Sequence, residues 1–297
     1  MLQIKHQAAG GSMKCSTFPY RQRAVIRGAG DIATGVALRL YHVGFHVIML
    51  EVEYPTVIRC TVAFAQAIYA GKMTIEGVTA KHINRLDEAD PLLQQGIIPL
   101  LIDEDASLLP AFQADGVVDA ILAKQNRGTH RAMAPVTIAL GPGFEAGKDC
   151  NAIIETNRRH NLGRVIYQGS AQANTGVPGN INGYTTQRVV RAPVTAVMRR
   201  CVNIGDIVNV GDNIAYIDNT PIKAPLSGMV RGLLNDNLSV TVGFNIGDID
   251  PRGAAVDFTA VSDKARAISG RGVRSIDGVD GKIGLVVMDK IADLFNY

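Results

Sequence analysis

The sequence predicts an α/β fold in which an N-terminal domain with an open, doubly wound sheet precedes an all-β domain built from an internal repeat. The 297 residues are 47% hydrophobic and only 19% charged, which is typical of folded chains, and this length suggests two domains. A strand, a glycine-rich turn and a helix follow one another near the start, and two similar segments lie in the last third.

The N-terminal unit begins with an apolar strand at residues 23–26. Apolar residues then recur at helical spacing from 32 to 40, Gly44 ends this helix, and residues 45–50 form a second apolar strand. A strand, helix and strand of this length is typical of parallel strands with a right-handed crossover. Together with further strand candidates at 97–102 and 136–140, this unit predicts a Rossmann-like domain.

The all-β unit is predicted from a repeat. Residues 192–218 align without gaps on residues 224–250, and 11 of the 27 positions are identical. One such unit cannot close its own sheet edges, so we expect two copies related by a pseudo-twofold axis in one small sandwich or barrel. The repeat resembles the barrel-sandwich fold of biotinyl and lipoyl carrier domains. Its connection at 219–223 has no lysine at the turn, so we do not expect a carrier role.

These patterns divide the chain into five segments. The expected organisation is a loose extension at 1–22, a Rossmann-like dinucleotide-binding domain at 23–145, a glycine-rich connection at 146–190, the repeat domain at 191–252 and a helical segment at 253–297.

Composition excludes several classes of protein. The net charge of +3 is dispersed, which does not indicate a nucleic-acid surface, and no apolar run reaches the roughly 18 residues that span a bilayer. The four cysteines form no CxxC motif, and the start of the chain has no signal-peptide pattern. We therefore expect a cytoplasmic protein with free thiols, no nucleic-acid or membrane partner, and neither metal ligands nor an assigned catalytic residue.

The strongest ligand signal is a GxGxxA pattern between the first strand and the helix. Gly28 permits a tight turn, Gly30 lets the backbone approach a pyrophosphate, and the start of the helix offers unpaired amides near Ile32. Glu51 ends the next strand, where an acid accepts a hydrogen bond from a ribose hydroxyl, so NAD is expected rather than NADP. The alternative is a domain of this fold whose nucleotide site is vestigial.

Two charges flank this pattern. Asp31 would repel a pyrophosphate unless it points away or caps the helix, and Arg27 could offset its charge.

Further candidates follow the later strands. Lys124 comes after an apolar strand, where open α/β sheets place ligands. Gly141 and Gly143 open a glycine-rich bend that lacks the spacing of an ATP-binding P-loop but could accept an anion. His160 and Arg164 lie in a loop with three arginines, whose planar groups match phosphates. The alternatives are a surface lysine and a solvated polar loop.

Several longer stretches then resemble a known family. RGAGDIATGVALRLYHVGFHVIMLEVEYPTVIR, GPGFEAGKD, HNLGR and GDIDPRG are similar to accessory proteins of selenium-dependent molybdenum hydroxylases. The resemblance implies a maturation factor that binds a dinucleotide, either NAD or molybdopterin dinucleotide, and that meets a molybdenum hydroxylase client enzyme, with a homo-oligomer possible. Arg159 departs from it, because glycine is expected there.

Two other functions stay open. One is an NAD-dependent oxidoreductase that acts on a small molecule, with Lys124 and His160 as the available acid–base groups. The other is a non-catalytic scaffold.

By position, the resemblance to the accessory proteins assigns the family's characteristic residues to Arg27, Gly28, Gly30, Asp31, Glu51, Lys124, Gly141, Gly143, Glu155, His160 and Arg164.

Overall fold

The structure, a computed structural model, describes residues 22–277. Most of the expected N-terminal extension and the last 20 residues of the helical segment expected at 253–297 lie outside this range. Its largest element is a nine-stranded sheet in the order β3-β4-β5-β2-β1-β6-β7-β8-β9. The strands are β1 (Arg23–Arg27), β2 (His46–Glu51), β3 (Lys72–Ile75), β4 (Val78–His82), β5 (Ile98–Ile102), β6 (Gly116–Asp119), β7 (Val136–Leu140), β8 (Ala152–Ile154) and β9 (Val165–Ile166).

The central strands of this sheet are parallel and buried on both faces. β1 pairs with β2 on one side, where Val25 lies opposite Ile48, and with β6 on the other, where Val25 lies opposite Val117. Continuous apolar runs are expected for strands that are covered on both faces. Since all these strands point the same way, the loops that follow β1, β2 and β6 meet at one edge of the sheet.

Five α-helices lie in the described part of the chain, and the two long ones pack together. α1 spans Asp31–His42 and α5 spans Asp263–Asp277. A Cβ built on Gly35 of α1 would lie only 2.9 Å from the Cβ of Ala265, so the glycine lets the two helices approach closely. Ala265 and Ile268 belong to the same apolar cluster as the first strand. The short helices are α2 (Gln66–Ala70), α3 (Ala89–Gln94) and α4 (Leu109–Phe112).

The C-terminal strands form two four-stranded antiparallel sheets, in the orders β10-β17-β15-β12 and β14-β13-β11-β16, around one apolar core. The two copies of the repeat place equivalent strands at equivalent positions, and each copy gives one short strand to the other sheet. The strands are β10 (Val189–Arg191), β11 (Ala196–Arg200), β12 (Ile207–Val208), β13 (Asn213–Ile217), β14 (Thr220–Lys223), β15 (Gly228–Leu233), β16 (Ser239–Val240) and β17 (Asn245–Asp250).

The predicted combination of a Rossmann-like doubly wound domain and a barrel-sandwich domain is wrong. The large sheet is mixed, because β3 and β9 run antiparallel at its edges, and the all-β part is two separate sheets. No α-helix joins β6, β7 and β8. The physical reason lies in the connections, since Leu122, Lys124 and Gly128 adopt positive φ angles, a conformation that ends helices.

Among residues 22–277, no helix has both the length and the hydropathy that are needed to cross a membrane.

The close contact between α1 and α5 gives a stability prediction. Gly35→Ala should lower the free energy of unfolding by about 1–3 kcal/mol, because its methyl group overlaps Ala265. Gly270→Ala, in α5, is the matched control: no atom lies within 4 Å of its Cβ, so it should be neutral or stabilising by up to about 1 kcal/mol. Denaturant unfolding measures both variants, and equal stability of the two would contradict the packing described here.

Candidate functional site

A cleft, here called the glycine cleft, lies where the chain leaves β1, β2 and β6. It has a volume of about 480 Å³, and its walls include Gly28, Gly30, Glu51, Arg59 and Leu122. Gly28 adopts a φ of +95°, and a Cβ there would approach the carbonyl oxygen of Ala120 to 3.0 Å. Gly28 is therefore required by the backbone itself, whether or not a ligand binds.

Glu51, at the end of β2, points into the turn and is partly buried. Its Oε2 accepts a hydrogen bond from the Ala29 amide at 2.7 Å, and its Oε1 accepts one from the Val52 amide at 2.9 Å. Burial raises the pKa of Glu51, and the two backbone hydrogen bonds oppose that rise. Since each carboxylate oxygen can accept two hydrogen bonds, Glu51 retains acceptor capacity on its cleft side.

The start of α1 forms the floor of the cleft. Gly30 is the N-cap residue, and no side chain caps the helix there. The first amides of an α-helix have no partner within the helix, and the helix dipole makes this end favourable for anions. A Cβ on Gly30 would meet only the Cγ2 of Val57, at 3.9 Å, so the protein alone does not require glycine at this position.

Arg59 faces the start of α1 from the segment that follows β2. Its side chain is only 9% exposed, and its nearest carboxylate is Asp31, at 3.6 Å from Nη1 to Oδ2. Nη2 donates a long hydrogen bond of 3.4 Å to the Ala260 carbonyl, and the buried Nε has no partner. Burial lowers the pKa of Arg59, and Arg231 lowers it further. The cleft thus contains a buried cation with incomplete pairing.

The segment that carries Arg59 is held from both sides. The Ile58 carbonyl accepts a hydrogen bond of 2.7 Å from the amide of Leu233 in β15. On the other side, the Phe64 amide donates to the buried hydroxyl of Thr34 in α1 at 2.9 Å. Because α1 and the all-β part both contact this segment, Arg59 has a defined position relative to α1.

A second cleft, here called the cationic cleft, lies beside the first and shares Leu122 with it. Its volume is about 710 Å³. Its basic lining residues are Lys124, Arg158, Arg159, Arg188, Arg191 and Lys264.

The structure separates the predicted cofactor residues into groups. Gly28, Gly30, Asp31, Ile32 and Glu51 lie together in the glycine cleft. Lys124 lies in the cationic cleft instead, in a left-handed conformation with a φ of 63°.

The two later glycines support the floor of the cationic cleft. A Cβ on Gly143 would lie 2.6 Å from the Gln125 amide nitrogen, and one on Gly141 would lie 2.5 Å from the Thr156 hydroxyl oxygen. Both positions therefore allow close approach of chain segments. His160 and Arg164 are exposed and line neither cleft.

Arg27 is fully buried, and its side chain binds the loops that follow β5 and β6 rather than Asp31. It donates to the Thr129 hydroxyl at 2.5 Å and to the carbonyls of Glu104 and Arg127, both at 3.0 Å. It also lies 3.8 Å from Asp119, whose pKa is raised by burial. The charge that offsets Asp31 comes from Arg59.

Sequence analysis missed Arg59, Arg188 and Lys264. Arg59 lies eight residues beyond Glu51 in an extended segment with no motif, and Lys264 comes from a helix far along the chain.

Comparisons with known proteins add one close relative. No family model matches the sequence. The sequence is 65% identical over 271 residues to the uncharacterized protein YqeB of Escherichia coli (strain K12). This match covers 91% of the present chain and 50% of YqeB, so the chain spans about half the length of this relative.

Solved structures give only distant similarity. An aspartoacylase family protein from Mesorhizobium loti is 12% identical, with a TM-score of 0.25 over 77% of this chain and 85% of that one. A succinylglutamate desuccinylase from Silicibacter sp. TM1040 is 14% identical, with a TM-score of 0.22 over 77% and 84% of the two chains. Scores of this size carry no argument about the fold or the activity of this chain.

The resemblance to accessory proteins of selenium-dependent molybdenum hydroxylases is wrong. No family model matches the sequence and the relative found, YqeB, is uncharacterized, so nothing in these comparisons points to such an accessory protein. The function as a maturation factor, which followed from that resemblance, is corrected with it.

Burial of Glu51 gives a prediction about pH. Because its folded-state pKa is raised above the ordinary value of 4.5, the unfolded chain loses this proton first. The stability of the native protein relative to Glu51→Gln should therefore fall as pH rises from 4.5 through the raised pKa, by at most about 1.4 kcal/mol per pH unit. Denaturant unfolding of both proteins over roughly three pH units, from pH 4 to pH 7, measures this difference.

Glu104→Gln is the control for this titration. The Glu104 charge contributes to raising the Glu51 pKa, so its removal should narrow the pH window over which stability falls. If the free energy of unfolding of the native protein, relative to that of Glu51→Gln, instead rises with pH, then folding favours the charged form of Glu51, and the prediction is wrong.

Proposed function

We propose that this chain is a nucleotide-binding protein and that the glycine cleft holds a nucleotide of the NAD type. The observation that carries the proposal is Arg59, a buried and incompletely paired cation whose Nη1 lies 3.6 Å from Asp31 at the uncapped start of α1. A phosphate there would replace the Asp31 carboxylate beside Arg59 and would receive hydrogen bonds from the helix amides and from the guanidinium group.

The remaining walls suit the other parts of a nucleotide. Glu51 can accept hydrogen bonds from the two ribose hydroxyls, because only two backbone amides contact its oxygens. Pro55, Val57 and Ile121 supply apolar surface for a base. A 2′-phosphate would meet the carboxylate of Glu51, so NADP should be rejected. The other predicted ligand, molybdopterin dinucleotide, rested on the corrected resemblance and is not carried further.

Location and activity belong to the same proposal. We place the protein in the cytoplasm, because Cys60, Cys150 and Cys201 are free thiols. No reaction is assigned to the glycine cleft.

Calorimetric titration with NAD⁺, ADP and adenosine tests the phosphate position. ADP should bind at least about tenfold more tightly than adenosine, because a hydrogen bond to a charged group contributes roughly 1.5–3 kcal/mol. Arg59→Met should remove this advantage and leave adenosine binding unchanged. Equal binding of ADP and adenosine to the native protein would refute the proposal, as would no binding of any of the three.

Gly30→Ala tests the approach of the phosphate to the backbone. The added methyl group meets only Val57, so the fold should keep its melting temperature within a few degrees, while ADP binding should weaken by about tenfold or more. Gly270→Ala is the control: no atom lies within 4 Å of its Cβ, it lies outside both clefts, and ADP affinity should be unaffected. Unchanged ADP affinity in Gly30→Ala would place the phosphate elsewhere.

A further inference from the structure

The cationic cleft has an unusual balance of charge. Its lining includes six basic side chains and no carboxylate. Two of the six have carboxylate partners: Arg158 binds Asp263 through two hydrogen bonds of 2.6 and 2.7 Å, and Arg188 binds Asp248. Within residues 22–277, Lys124, Arg159, Arg191 and Lys264 have no ion pair. Such a group of like charges is stabilised by a bound anion.

Buried polar atoms on the lining residues also lack partners. The Nε atom of Arg188 and the Oδ1 atom of Asn245 are buried, and neither has a hydrogen bond. An unpaired donor and an unpaired acceptor on the lining residues carry a desolvation cost that the described residues do not offset.

Hydrogen bonds hold together the loops that form the wall of the cationic cleft. The buried Glu155 accepts hydrogen bonds from the amides of Asn157 and Gln172, both at 2.8 Å, and so joins the two loops that enclose the space. The Arg158 side chain packs across Gly179, where a Cβ would lie 2.8 Å from its Cδ. Glu155 is therefore a positioning residue, because it holds the arginines without lining the cleft.

Lys264 is the central cation of this site. It lies in the first turn of α5, next to Asp263, and its side chain is half-buried. Burial lowers the pKa of Lys264 and the nearby Arg158 lowers it further, whereas the charges of Asp31, Glu155 and Asp263 oppose this fall. A cation in this position gains from an anion because it has already lost much of its hydration.

We propose that the cationic cleft is a second ligand site, distinct from the glycine cleft, which binds a small molecule carrying a multiply charged oxyanion. Lys264, Lys124, Arg158 and Arg159 hold the anionic group. Leu122, Val177 and Pro178 provide an apolar strip for an organic part, for which the volume of about 710 Å³ leaves room. Phosphate esters and polycarboxylates share this chemistry.

Calorimetry on the Arg59→Met protein tests this site apart from the glycine cleft, whose cation is then absent. Pyrophosphate should bind this protein with one site per chain. Adding Lys264→Met should weaken pyrophosphate binding by about tenfold or more, and adding Arg159→Gln should weaken it by roughly threefold. Arg159 is exposed and unpaired, so its substitution does not threaten folding. Lys81→Met, an exposed change of equal charge on β4, should have no effect.

The comparison of anions identifies the source of the charge. Tighter binding of pyrophosphate than of citrate indicates a phosphate ester, and the reverse indicates a polycarboxylate; either order supports the site. Absence of both bindings in the Arg59→Met protein overturns the proposal, as does pyrophosphate binding that Lys264→Met and Arg159→Gln leave unchanged. Because Arg59 is already substituted in this protein, a lack of pyrophosphate binding would contradict only the cationic-cleft proposal. The nucleotide proposal is tested separately with the native protein.

Discussion

The hydrogen bonds of the buried Glu51 carboxylate to Ala29 and Val52 are the interaction on which the rest of the site depends. They join the turn after β1 to the end of β2, and so determine where α1 begins relative to the sheet. A carboxylate away from water is unfavourable unless its oxygens are paired, so the turn and the acid stabilise each other. The same geometry leaves the helix amides facing open space rather than a side chain.

The two clefts together follow the general behaviour of open α/β sheets, in which ligands bind beyond the carboxyl ends of the strands. Gly28 follows β1, Lys124 follows β6, and Thr156 follows β8, so both clefts lie at one edge. Their shared wall at Leu122 brings the two proposed anion sites next to each other. A protein with this arrangement is suited to bringing two charged molecules into proximity, with Arg59 on one side and Lys264 on the other.

Local features of the fold could be predicted from the sequence, and long-range ones could not. The unit of β1, α1 and β2 is encoded by apolar spacing and by Gly44, so its bounds were predicted within one or two residues. The order of strands in the large sheet depends on which strands pair with one another, and this pairing is not visible in local sequence. The connections between β6, β7 and β8 contain no helix, so they show no helical periodicity that could indicate the crossover. The motif likewise indicated Gly28, Gly30 and Glu51, whereas Arg59 and Lys264 reach their clefts through contacts between distant segments.

The packing of α5 on α1 has a consequence for synthesis on the ribosome. Ala265 and Ile268 complete an apolar core that begins at Ala24, so one face of the first helix stays bare until nearly all described residues have emerged. The strands of the all-β part are contiguous in the chain and can assemble earlier. The first helix of the large sheet therefore reaches its full packing only after the all-β part has been synthesised.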